Sequence, residues 1–237
     1  MPNLNHPVVL ITGAAGNLGR AVATAFAGHA DGLALVDLHE PSLSEACDAL
    51  PGNSNCLGLA ADLLDPDAVN RAIEKARVHF GRIDAVANIA GGFRMGPPLH
   101  ETPDEDWNFM MDLNARSVFN VCRATVPALR SNGGGRIINV SARAAREGKA
   151  GMGPYCASKA AVITLTESLA AENKHEGLNV NCILPGTIDT PQNRADMPDA
   201  DHSRWVPPSA LADVVVFLAS DAARCVTGAA IPVYGRS

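Results

Sequence analysis

The sequence predicts an α/β fold: a doubly wound parallel sheet of about seven strands with helices on both faces, built by residues 1–237 as one domain. Three observations predict it. Short apolar runs alternate with longer stretches of helical periodicity along the whole chain. Most of these runs are apolar at successive positions, as strands covered on both faces require. A glycine-rich turn joins the first run to the first helical stretch, where an open α/β sheet places its phosphate-binding loop.

Taken in order, the expected strands are 8–12, 33–38, 56–60, 85–89, 136–140, 179–184 and 231–233. The expected helices are 18–27, 66–80, 105–129, 154–175 and 208–219. One long stretch, 187–207, stays irregular and holds several Pro and Asp residues plus Trp205. Such a segment inside a compact domain reads as a functional loop or lid.

Composition narrows the function classes. The net charge is −6 with no block of Lys or Arg, so the electrostatic footprint of nucleic-acid binding is missing. No apolar run reaches membrane-span length, and the opening residues lack the basic-then-apolar pattern of a signal peptide, so a cytoplasmic location is expected. The six cysteines, at 47, 56, 122, 156, 182 and 225, form no C-x-x-C pair. Each reads as a small buried apolar residue in a reducing compartment. His202 near Asp199 and Asp201 reads as a solvated loop, and no metal is expected.

The nucleotide end is the turn TGAAGNLG at 12–19. Gly13, Gly16 and Gly19 allow a tight turn, close approach of a pyrophosphate and close helix–strand packing, with Asn17 and Leu18 between them. The helix that follows offers unpaired N–H groups and a positive dipole end, completing a Rossmann-type phosphate site. Asp37 stands at the end of the second strand. A carboxylate there accepts the ribose hydroxyls and repels a 2′-phosphate, while Asn17 and Leu38 supply no cation, so NAD(H) is expected over NADP(H).

The chemical end is PYCASK at 154–159. Tyr155 and Lys159 are spaced i, i+4 and share one helix face. Bringing a phenol of pKa ~10 to half ionisation near neutrality takes ~4 kcal/mol. One ammonium at ~4 Å with an effective dielectric of ~20 supplies that order. Ser141, at the end of the strand IINVS, stands fourteen residues before Tyr155. Its hydroxyl is expected to hold a substrate oxygen while the phenol exchanges a proton with it.

These motifs, with Asp62, NIAG at 88–91, Asn114, PGTIDT at 185–190 and TGAAIPVYG near the end, together resemble the short-chain dehydrogenase/reductase family. They come in the family's order and spacing over nearly the whole chain. Two departures are Gly16-Asn17, where many relatives have the glycine one place later, and NIAG in place of NNAG. Both are tolerable, since Asn accepts unusual backbone angles and Ile89 need only be apolar.

The resemblance implies Tyr155 as catalytic acid/base, with Lys159 holding the nicotinamide ribose and tuning the tyrosine. It implies Ser141 orienting the carbonyl and Asn114 anchoring a water in the proton relay. Asp62 and Leu63 would meet the adenine, and Asn88, Ala90 and Gly91 would line the adenosine side. Pro185, Gly186, Ile188 and Thr190 would border the carboxamide. A homo-oligomer, tetramer or dimer, packed through helices 105–129 and 154–175 is implied as well.

The loop from Leu184 through Pro208, Gly91-Gly92 and the GMGPY approach to the tyrosine are similar to quinonoid dihydropteridine reductases, which also prefer NADH. Those enzymes lack the serine kept here at 141, so a small carbonyl or alcohol substrate suits the full set better. Arg94, Arg143, Arg146, Arg194 and Arg204 read as solvated or paired charges rather than as an anion pocket. Met95, Met152, Met197 and Trp205 are candidates for an apolar wall. A non-catalytic dinucleotide sensor would need none of Ser141, Tyr155 and Lys159, whose joint presence argues for an enzyme.

Overall fold

The computed structural model describes residues 4–52 and 54–236. Seven parallel strands form one sheet in the order β3-β2-β1-β4-β5-β6-β7. They are β1 (Val8–Thr12), β2 (Gly32–Asp37), β3 (Cys56–Ala60), β4 (Ala85–Asn88), β5 (Gly135–Val140), β6 (Leu178–Pro185) and β7 (Ala230–Val233). The order reverses between β1 and β4, and there the loops leaving the strands diverge and open a crevice.

The helices are α1 (Asn17–Phe26), α2 (Glu40–Asp48), α3 (Pro66–Phe80), α4 (Asp104–Met111), α5 (Ser117–Ser131), α6 (Gly153–Asn173), α7 (Pro191–Asp196) and α8 (Pro208–Ala219). They cover both faces. On one, Val22, Leu43 and Leu211 from α1, α2 and α8 pack over Val9, Ile11, Ala87 and Val140. On the other, Val69, Val121 and Val162 from α3, α5 and α6 pack over Leu10, Val86 and Ile137. Neighbouring strand residues thus serve opposite layers, which is why the strands read as unbroken apolar runs. None of the described helices is long and apolar enough to cross a membrane.

Local chemistry sets the ends of several elements. Asp65 caps α3 by accepting from the Asp67 N–H at 2.9 Å, Pro66 fits the first turn, and Gly81 closes the helix in the left-handed conformation. Thr190 caps α7 in the same way, accepting from the Asn193 N–H at 3.1 Å. The stretch 187–207 is therefore not irregular. It contains α7, a short bridge between Ile188 and Val206, and a bidentate Arg194–Asp189 pair.

Three expectations are corrected. The single helix over 105–129 is two, α4 and α5, joined by a five-residue π turn over Asp112–Arg116. A helix absent from the sequence reading, α2, follows β2, and its apolar positions Leu43 and Ala46 are too few for periodicity to reveal. Cys47 and Cys56 are not separate buried thiols: a disulfide joins them, tying the end of α2 to the start of β3. Cys122, Cys156 and Cys182 are buried as read, and Cys225 is exposed.

Candidate active site

The site forms where the carboxyl ends of β1, β4 and β5 meet the start of α6. At the first of these, Gly13 takes φ 63°, a conformation that favours glycine, and turns the chain from β1 into α1. Gly16 is extended, and a side chain there would meet nothing nearer than the Gly13 carbonyl at 3.4 Å. No side chain caps α1, so its first N–H groups keep their hydrogen-bonding capacity. Asp37 reaches across from β2, its carboxylate accepting from the Ala15 N–H at 2.9 Å and the Leu38 N–H at 2.8 Å. An open positive helix end beside a glycine with room before it fits the diphosphate of a dinucleotide.

Tyr155 and Lys159 lie one turn apart on α6. Lys159 is only 5% exposed, and its Nζ donates to the Val140 carbonyl at 3.0 Å. Burial pulls this ammonium down to about 8. Gly91, at the exit of β4, makes room for it: a Cβ there would meet Lys159 Nζ at 2.9 Å and Asn114 Oδ1 at 2.7 Å. Asn114 comes from the π turn and is fully buried. Its amide clamps Gly92, accepting from the N–H at 3.0 Å and donating to the carbonyl at 3.1 Å, and it also donates to Ser158 Oγ at 3.1 Å.

A family model described as short chain dehydrogenase matches residues 7–201, well over half of the chain. The chain belongs to the short-chain dehydrogenases. Among its relatives, Oxidoreductase UcpA of Escherichia coli (strain K12) is 34% identical over 246 residues, covering 96% of this chain and 93% of that protein. The fold of this short-chain dehydrogenase matches a solved short-chain type dehydrogenase/reductase from Mycobacterium ulcerans with a TM-score of 0.93 at 27% identity, over 99% of this chain and 90% of that one. Carveol dehydrogenase from Mycobacterium avium, solved in complex with NAD, gives a TM-score of 0.91 at 28% identity over 99% and 98%.

Not every residue expected at the site of this dehydrogenase lies there in the expected way. Ser141 is 2% exposed, and its hydroxyl donates to the Lys159 carbonyl at 2.7 Å. It continues the alternation of Ile137 and Asn139, which face the α6 layer. Its hydroxyl therefore ties the end of β5 to α6 instead of being offered to a substrate oxygen. Asn88, 1% exposed, likewise turns inward and donates to Asn139 Oδ1 at 2.8 Å, bracing β4 against β5 rather than lining an adenosine.

The tuning of the tyrosine also differs. Burial, and secondarily Cys156, pushes the Tyr155 phenol up to about 12. The Thr190 hydroxyl serves as the α7 cap. Asp62 accepts from the Leu64 N–H at 2.8 Å in a turn after β3, and Ala90 donates its N–H to Thr12 Oγ1 at 3.3 Å.

The five arginines are engaged, as the sequence suggests. Arg94 pairs with Asp106, Arg143 with Glu147 and Arg194 with Asp189, while Arg146 and Arg204 donate to the carbonyls of Ala230 and Arg236. Of the candidate apolar wall, Met95 and Met197 are exposed, Met152 precedes α6, and Trp205 is buried against His202. Sequence reasoning passed over Phe93, whose ring packs edge-to-face on Tyr155 with centroids 5.0 Å apart. The available signal was an aromatic residue immediately after Gly91-Gly92 in a chain with only 4% aromatics.

Proposed function

We propose that this short-chain dehydrogenase is an NAD(H)-dependent oxidoreductase acting between a carbonyl and the corresponding alcohol, with Tyr155 as the acid/base. The observation that carries the proposal is the anchored pair on α6: Tyr155, with Lys159 one turn on, buried and held to the end of β5. A bound nicotinamide dinucleotide would supply the hydride or accept it. Gly13, Gly16, Asn17, Leu18 and Gly19 would hold its diphosphate, and Asp37 would favour a ribose without a 2′-phosphate.

In the reducing direction Tyr155 gives its proton to the carbonyl oxygen as the carbon gains the hydride. A phenol held at about 12 is fully protonated at neutral pH and available for that step. Lys159, one helix turn on, is held by its Nζ on the Val140 carbonyl and keeps the tyrosine's helix fixed to the end of β5. We place Pro185, Gly186 and Ile188 beside the carboxamide, and we expect a homo-oligomer through α4, α5 and α6. The exposed Trp107, Phe109 and Phe119 on α4 and α5 support that packing.

A second reading rests on Ser141. With its hydroxyl donated to α6, Tyr155 orients the substrate oxygen without that serine, which suits a quinonoid ring that is reduced without a ketone to polarise. The loop likeness to quinonoid dihydropteridine reductases points the same way. Offering NADH with ketones, aldehydes and a quinonoid dihydropterin separates the two readings by which substrate consumes the cofactor. In either case Tyr155→Phe is expected to lower turnover at least 100-fold while NADH binding, followed by fluorescence, is retained. Undiminished turnover would remove Tyr155 from the chemistry.

A further inference from the structure

We propose that Phe93 is the substrate-side wall of the reacting centre, and that the substrate it selects carries a flat, uncharged ring bearing the reacting carbon. This rests on the oxidoreductase reading and names the substrate class of the same site. The wall is built, not incidental. Its near end is fixed by the two hydrogen bonds of the Asn114 amide to Gly92, and its far end by the Gly96 N–H, which donates to the Gly151 carbonyl at 2.8 Å. The loop is thus held at one end to the π turn that carries Asn114 and at the other to the turn leading into α6.

Between those ties Phe93 stands 55% exposed and Met95 66% exposed, although both are large and apolar. The planes of Phe93 and Tyr155 meet at 82°, so the rings make a corner with the phenol as one side. A flat ring laid on the exposed part of Phe93 would lie beside the phenol. The surrounding charge agrees. Arg94, next in the chain, is turned to Asp106 at 2.7 Å and over the Phe109 ring at 4.2 Å, away from a carboxylate or phosphate on the substrate.

The test uses the full-length protein with NADH and two dicarbonyl probes, flat isatin and small aliphatic 2,3-butanedione. The ratio of their kcat/KM values is expected to fall at least tenfold in Phe93→Ala, through KM for isatin, and to recover in Phe93→Trp. An unchanged ratio overturns the proposal. So does a change in sedimentation mass with an unchanged ratio, which would mean that a second copy of the chain covers Phe93. Absence of turnover with either probe counts against the oxidoreductase reading instead. Saturation-transfer NMR then still decides the role of Phe93: isatin signal from wild type that is lost in Phe93→Ala supports it, and equal signal overturns it.

Discussion

Lys159 shows how one side chain couples the chemistry to stability. Its native pKa is about 8, against 10.5 for a free lysine, and the cause is burial. Between those values the unfolded chain binds the proton that the native chain has lost, so raising the pH through this window favours the native state. Wild type is expected to gain about 2 kcal/mol on Lys159→Met between pH 8 and 10, read by denaturant unfolding. Tyr155 acts in the opposite sense above pH 10, where its native phenol, held at about 12, keeps a proton that the unfolded one gives up. A wild-type-to-variant difference that stays flat from pH 8 to 10 would show that burial does not lower the Lys159 ammonium as described. At this scale the sequence announced the residue types well: Tyr155, Lys159 and Asp37 stand where their motifs put them. It did not announce orientation. Ser141 and Asn88 sit at the expected strand ends, but period-two alternation points both into the α6 layer, and that depends on which face the neighbours Ile137 and Val86 choose.

Among elements, the strands were legible because each is short, apolar and covered on both sides, and no expected end is off by more than one residue. Joints between helices were not. Periodicity runs through 105–129 without a Gly or Pro where α4 gives way to α5, so nothing local marks the π turn that carries Asn114. The short helices α2 and α7 bury too little to leave a stripe, and α7 rests on its Thr190 cap and Pro191. The Cys47–Cys56 bridge was equally hidden, because spacing alone does not pair cysteines. It closes a loop of nine residues in sequence, for which chain entropy gives about 2–3 kcal/mol. Cys56→Ser, or added reductant, is therefore expected to lower the thermal midpoint of protein kept oxidised, while Cys225→Ser leaves it unmoved. Equal midpoints with and without reductant would show that the two thiols are not joined.

At the scale of the whole molecule, the alternation of apolar runs and helices predicted a parallel sheet with two helical covers, and the structure has it. Every strand points the same way, so every loop at the carboxyl end opens on one side, and the reversal of order between β1 and β4 decides where on that side the crevice lies. Strand order was the part that composition and periodicity left open, since no local pattern says which strands are neighbours. A sheet of this kind has two rims, and the β7 rim is guarded. Cys182 donates to the Ala229 carbonyl and Gly186 to that of Val233, so the residues of that parity face β6 and the exposed Pro232 between them turns its nitrogen outward. A strand arriving from another molecule would meet a ring and no donor there, which blocks the templated stacking that bare rims invite. Pro232→Val should fold and turn over substrate as before yet scatter light sooner when concentrated; a variant that stays as clear as wild type would mean that the rim is shielded by something other than its proline.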